Sequence, residues 1–203
     1  MDEAPIETCK IVVHGLWGTG KTSFISTITE IDIISTEKDI SKASKEPEVK
    51  ENTTVAMDFG RITSADQTVI LYLFAIPQTR HFRFDFLQDL AEGVLGFILM
   101  VDSRYPEMFR ETHSLFQRLM VFSPLPIIIA ASFQDLPDAW DVEVLRIALQ
   151  VPNEIPIIPC VATDRESVKA VLIALFPFAR SKTFAFRRTA SARKDQRFIV
   201  RGR

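Results

Sequence analysis

Apolar residues fall along this chain in two kinds of block. Six short, nearly continuous runs predict strands, at residues 8–14, 55–62, 69–75, 94–101, 126–131 and 155–161. Elsewhere apolar residues return every third or fourth position, the period of a helix with one buried face. Phe24, Ile25 and Ile28 follow the first run, and Met108, Phe109, Leu115, Phe116, Leu119 and Met120 lie within 106–122. Val142, Leu145 and Leu149 share one side of 142–149, and Val168, Val171, Leu172, Leu175 and Phe176 share one side of 165–178. A short helix is expected over 84–90. Pro106 suits a first helical turn, and Pro177 breaks the closing helix near its end. Ser64-Ala65-Asp66-Gln67 separates two strands by hairpin length. Apart from that hairpin, strands alternate with helices. The pattern predicts an α/β fold with a mostly parallel six-stranded sheet and helices on both faces. Residues 36–52, polar and without apolar period, read as a surface loop.

Between the first strand and the first helix lies Gly15-Leu16-Trp17-Gly18-Thr19-Gly20-Lys21-Thr22, which fits the phosphate-loop pattern G-x-x-x-x-G-K-[ST]. The residue types follow from the chemistry. Glycines let the backbone approach a phosphate closely, and successive N–H groups turn inward as an anion nest. The positive end of the following helix faces the same anion. Lys21 would reach the β- and γ-phosphate oxygens, and the Thr22 hydroxyl would ligate Mg²⁺. Trp17, Thr19 and Ser23 complete the stretch expected to line the phosphates. In parallel sheets ligands bind beyond the carboxyl ends of the strands. This loop, 75–79, 132–135 and 160–163 all lie at such ends, so four loops are expected to converge.

Composition sets limits on this picture. With 47% hydrophobic and 25% charged residues, the 203-residue chain matches an ordinary globular protein, with a core domain at 1–179. No apolar run is long enough to span a bilayer, and the acidic first residues lack a secretory pattern. Cys9 and Cys160 each fall in a predicted strand, which suggests reduced thiols and a cytoplasmic protein. The net charge of −2 hides an asymmetry. From 180 onward there are nine Lys/Arg and one acid, which leaves residues 1–179 at −10. The tail, 180–203, reads as a disordered basic segment. With Phe184, Phe186 and Phe198 interleaved, it also suits attachment to an anionic membrane surface or an acidic partner. The acidic domain argues against a broad nucleic-acid surface.

Over residues 8–179 the chain resembles the Ras-like small GTPases, within the P-loop NTPases. Inside that group it is similar to the bacterial MglA and conservon-type branch, through Thr53-Thr54-Val55-Ala56-Met57-Asp58-Phe59-Gly60 and Tyr72-Leu73-Phe74-Ala75-Ile76-Pro77. The resemblance implies a GTP/GDP-binding signalling switch using Mg²⁺, with a Roadblock-type regulatory partner and an effector the sequence does not name. It makes Thr54 the switch I threonine that senses Mg²⁺ and the γ-phosphate. It aligns Ser132-Phe133-Gln134-Asp135 with the guanine motif N-K-x-D, in which only the aspartate is kept. Asp135 can accept hydrogen bonds from the N1–H and exocyclic amine of guanine. Ala162 takes the place whose backbone N–H faces the guanine O6.

Departures from the family cluster in switch II, where Ala75-Ile76-Pro77-Gln78-Thr79 replaces D-x-x-G-Q or T-P-G-Q. Ala75 replaces the Mg²⁺-associated aspartate, Gln78 the glycine, and Thr79 the glutamine that orients water, so turnover is expected to be slow. Hairpin pairing around Asp66 would set Asp58 almost opposite Phe74 and Ala75. Asp58 is then either a substitute carboxylate near Mg²⁺ or an acid at a strand end. The expected catalytic residues are Lys21 and Thr54, and the expected metal residues are Thr22, Thr54 and Asp58. Three readings stay open: a slow GTPase switch, a hydrolysis-deficient module that binds nucleotide and acts as a scaffold, or a P-loop enzyme using ATP, such as a kinase, against which Asp135 and Ala162 argue.

Overall fold

The computed structural model describes residues 7–35, 57–76 and 93–178 of the chain. Strand β1 (Glu7–Gly15) leads through the glycine-rich loop into helix α1 (Lys21–Ile28). A two-residue strand β2 (Ile34–Ser35) and strands β3 (Asp58–Thr63) and β4 (Val69–Ala75) follow. Next come β5 (Val94–Asp102), a single 3₁₀ turn (Pro106–Met108) and α2 (Phe109–Phe122). β6 (Ile127–Ser132), α3 (Val142–Ala148), β7 (Ile157–Cys160) and a helix α4 over 165–178 complete the described chain.

The strands form one sheet in the order β2-β3-β4-β1-β5-β6-β7. β4, β1, β5, β6 and β7 pair in parallel, and β2 and β3 run antiparallel at one edge. The six expected strands are present, and β2 adds a seventh too short to carry a period. The strand expected over 155–161 contracts to Ile157–Cys160, since Pro156 has no N–H to give a ladder. The helix expected over 106–122 begins as the 3₁₀ turn, with Pro106 at its start. The helix expected over 84–90, the loop 36–52, residues 77–79 and the tail 180–203 lie outside the described residues.

Alternation along the buried strands builds two cores. Ile11 and Val13 of β1, with Ile98 and Met100 of β5, face one side, where α1 and α4 cover them through Phe24, Ile25, Val168 and Leu172. Val12, Leu99 and Ile129 face the other, under α2 and α3. Each wholly buried Leu, Ile or Phe contributes about 1.5–3 kcal/mol. The exposed pairs Arg146–Glu143 and Lys169–Glu166 are worth under ~1 kcal/mol each. The two apolar layers, and not surface ion pairs, therefore hold the helices to the sheet.

Cys9 and Cys160 are buried free thiols on strands separated by β5 and β6. Burial pushes the Cys160 thiol up to about 11. Among the described residues no helix is long and apolar enough to cross a membrane. Because β4, β1, β5, β6 and β7 are parallel, the loops after them all leave from one edge of the sheet, the carboxyl ends of these strands.

Candidate functional site

The glycine loop occupies the centre of that edge because β1 lies between β4 and β5. Its first glycine is required by contact. A Cβ on Gly15 would stand 2.5 Å from the Met100 carbonyl oxygen and 2.9 Å from Thr19 Oγ1. Gly18 is required by conformation, with φ +81°, while the space where its Cβ would stand is open to 4 Å. The backbone at Gly18 is thus open on the side where a side chain would stand. Gly20 caps α1 without a side-chain hydrogen bond, and the first turn of the helix holds no acid. The first N–H groups of a helix have no acceptor within the helix, and its positive end favours an anion.

Lys21 folds back over the loop, its ammonium donating to the carbonyls of Gly15 (3.0 Å) and Leu16 (2.7 Å). The Thr19 hydroxyl donates to the Leu16 carbonyl at 3.0 Å and braces the loop from inside. Next along the helix, the Thr22 hydroxyl donates to Asp58 Oδ2 at 2.5 Å. Asp58 opens β3 opposite Ala75, one of the two residues, Phe74 and Ala75, between which the hairpin was expected to set it. The turn sets that register: Asp66 Oδ1 accepts from the Ser64 hydroxyl and the Thr68 N–H, and the Ser64 N–H reaches the Val69 carbonyl. A buried carboxylate and a threonine hydroxyl therefore meet at the mouth of the loop.

The loops after β6 and β7 close against it. Ser132 is fully buried, and its hydroxyl lies 2.9 Å from the Thr19 carbonyl and 2.8 Å from the Val101 carbonyl. Its hydroxyl faces the glycine loop's backbone, so Ser132 holds that loop against the sheet. Asp135 stands exposed three residues on. Ala162 packs beside Gly20, where an added Cβ would be 3.3 Å away, and its carbonyl accepts from Thr27 of α1 at 2.8 Å. The structure thus brings Gly15, Gly18, Thr19, Gly20, Lys21, Thr22, Asp58, Ser132 and Ala162 to one end of the sheet. Ser23 sits in the first turn of α1 and is half-buried. Thr54 lies outside the described residues.

Trp17 projects outward, 88% exposed. With Gly18 and Thr19 it walls a cavity of about 420 Å³, completed by Asp102, Arg104 and Tyr105. The loop after β5, absent from the four loops expected to converge, thus joins the site. Its signal in the sequence was an acid at the carboxyl end of a strand, Asp102.

His14, the residue before Gly15, is buried with Nδ1 3.2 Å from the Ile76 carbonyl. Burial first, and then the charges of Lys21 and Arg118, lower it to about 4, against the opposing bond to Ile76. The unfolded chain, with an ordinary histidine near 6.5, takes up the proton first as pH falls. Folding stability is therefore whole above about 6.5 and is lost as the pH falls from there to about 4, by about 3 kcal/mol at most. Urea denaturation from pH 7 to 4 should show His14→Gln with a shallower pH slope than wild type. Parallel slopes would remove His14 from the acid sensitivity.

Scanned against protein-family models and against curated proteins, the chain matches neither any family model nor any curated protein.

Proposed function

We propose that the chain is a GTP-binding molecular switch of the Ras-like small-GTPase kind, hydrolysing GTP slowly. The observation that supports this most is the meeting of Thr22 with Asp58 beside a glycine loop whose open face is Gly18. A loop of amides and a helix start bind polyphosphate in many proteins. A hydroxyl and a carboxylate at the same place add oxygen ligands for the small hard cation that accompanies it.

Mg²⁺ fits this donor set. It is commonly held by one or two protein oxygens together with phosphates. Thr22 and Asp58 would hold it, with Thr54 sensing the γ-phosphate side. When bound, it neutralises charge on the β- and γ-phosphate oxygens. The loop amides and α1 orient the phosphates for in-line attack by water, and Lys21 stabilises charge as it moves onto the bridging oxygen. Asp135 and the Ala162 N–H would read guanine. Thr79, in place of a water-orienting glutamine, supports slow turnover that waits on a partner, for which a Roadblock-type regulator is proposed. GTP-ordered surfaces would then be read by an effector.

One observation favours the second reading, a hydrolysis-deficient binding module. β4 ends in Ala75, a buried methyl that contributes no polar group to the site. Chromatography of nucleotide released from the purified chain, followed by single-turnover incubation with GTP and Mg²⁺, separates the two. Bound guanine nucleotide with slow conversion to GDP is the expected result. Bound GTP that never converts would leave a binding module, and adenine nucleotide or none would overturn both.

A further inference from the structure

This inference rests on the guanine-nucleotide reading and deepens it. Asp102, the last residue of β5, accepts the Arg104 guanidinium through two bonds, Nε to Oδ1 at 3.0 Å and Nη2 to Oδ2 at 2.8 Å. Its Oδ1 also accepts the Arg104 backbone N–H at 3.0 Å. Held in this way, the guanidinium carbon lies 3.8 Å from the centre of the Phe133 ring and 4.8 Å from that of Tyr105. A planar cation fixed by a carboxylate fork and stacked on rings is a rigid unit that a lysine cannot reproduce.

Phe133 is the first residue beyond β6 and stands two before Asp135. Its φ is +64°, a left-handed conformation that a bulky L-residue adopts only when its surroundings impose it. The backbone on either side is tied down. The Ser132 carbonyl accepts from the Ser103 N–H, the Gln134 N–H reaches the Cys160 carbonyl, and the Gln134 amide donates to the Trp140 carbonyl. The ring of Phe133 packs on Arg104 between these ties. The left-handed turn and the stack together set the direction in which the chain leaves β6 toward Asp135.

We propose that Asp102, Arg104 and Phe133 form a positioning device for base specificity, holding the turn that presents Asp135 to the edge of guanine. Guanine offers that carboxylate two donors, N1–H and the exocyclic amine; hypoxanthine offers only N1–H. Discrimination between them depends on where the carboxylate stands, whereas phosphate binding depends on the glycine loop. Arg104 acts through Phe133 and needs no contact with the nucleotide.

The test is titration calorimetry of the full chain with Mg²⁺ and three probes: GDP, IDP and inorganic tripolyphosphate. Wild type is expected to prefer GDP over IDP. Arg104→Ala and Phe133→Gly should each weaken GDP binding about 10-fold and bring the GDP:IDP ratio toward one, and Phe133→Gly, whose ring does not line the cavity beside the glycine loop, should leave tripolyphosphate unchanged. Glycine adopts the left-handed turn without strain, so the Phe133→Gly result isolates the ring even where Arg104→Ala folds poorly. Arg104→Lys, which keeps the charge without the planar fork, should not restore the ratio. An unchanged GDP:IDP ratio in Phe133→Gly would overturn the proposal, as would an equal loss for all three probes. If wild type itself fails to bind guanine nucleotide, the functional reading falls and this inference with it. If wild type discriminates and the variants do too, only the positioning role falls.

Discussion

Replacing Asp58 with asparagine is expected to weaken GTP binding in the presence of Mg²⁺ by about 10–100-fold, the usual cost of disturbing a metal's supporting carboxylate. Binding measured with the metal chelated should barely change. The split follows from the geometry. Asp58 meets the Thr22 hydroxyl at 2.5 Å, while the phosphate loop is braced by other groups, among them the Thr19 hydroxyl. Asparagine keeps the shape and a side-chain oxygen for Thr22, and loses only the charge. Because Asp58 is buried, the neutral variant also escapes the cost of holding a charge away from water, so its melting temperature should hold. Fluorescent-nucleotide titration with and without chelator measures both halves. Equal affinity for wild type and variant in Mg²⁺ would return Asp58 to the role of a strand-end acid.

The second large effect belongs to Gly15→Ala. The new methyl carbon would stand 2.5 Å from the Met100 carbonyl oxygen, a backbone atom of β5, at the point where Gly15 and Met100 pair. Neither strand can move alone, since β1 is also paired with β4. Overpacking of this kind costs about 1–3 kcal/mol, and the positive φ of +154° adds backbone strain. A fall in melting temperature of about 10 °C is expected at this chain length. Gly18→Ala makes the contrast: it meets no atom within 4 Å, so its stability cost should be limited to about 1 kcal/mol for the left-handed backbone. Its effect should appear in nucleotide affinity, because the methyl enters the open side of the loop. Thermal melts and nucleotide titrations on both variants test the pair. The assignment of roles fails if Gly18→Ala is the more destabilised, or if Gly15→Ala melts with wild type.

Much of this molecule was legible in its order of residues, and the reasons are local. Continuous apolar runs and three-to-four spacing report which backbone period can bury a face, and both hold along β1, β5, β6, α2 and α4, except that Met120 and Phe176, expected on the buried faces, stand exposed at the margins of their helices. The hairpin register was nearly a matter of counting: pairing around Asp66 sets Asp58 almost opposite Phe74 and Ala75, and the strands pair it with Ala75. The glycine loop declared itself because its spacing is contiguous. Two-residue β2 was beyond any periodic signal, as its pairing with Asp58 and Phe59 is all that defines it.

What only the tertiary structure decided is which side chains meet at the sheet's carboxyl edge. The strand order sets β1 between β4 and β5, so loops distant in sequence become neighbours. That order brings Asp58 from β3, the strand beside the short edge strand β2, to a helix start 36 positions away. It also turns Ser132 inward to the glycine loop, 113 positions away. Arg104 reaches Phe133 by the same rule, across the paired ends of β5 and β6, where Asp102 lies beside Ser132. Periodicity is a property of neighbours along the chain, and it specifies the elements. The site depends on contacts between loops far apart in sequence, and these exist only once the strands have taken their places in the sheet.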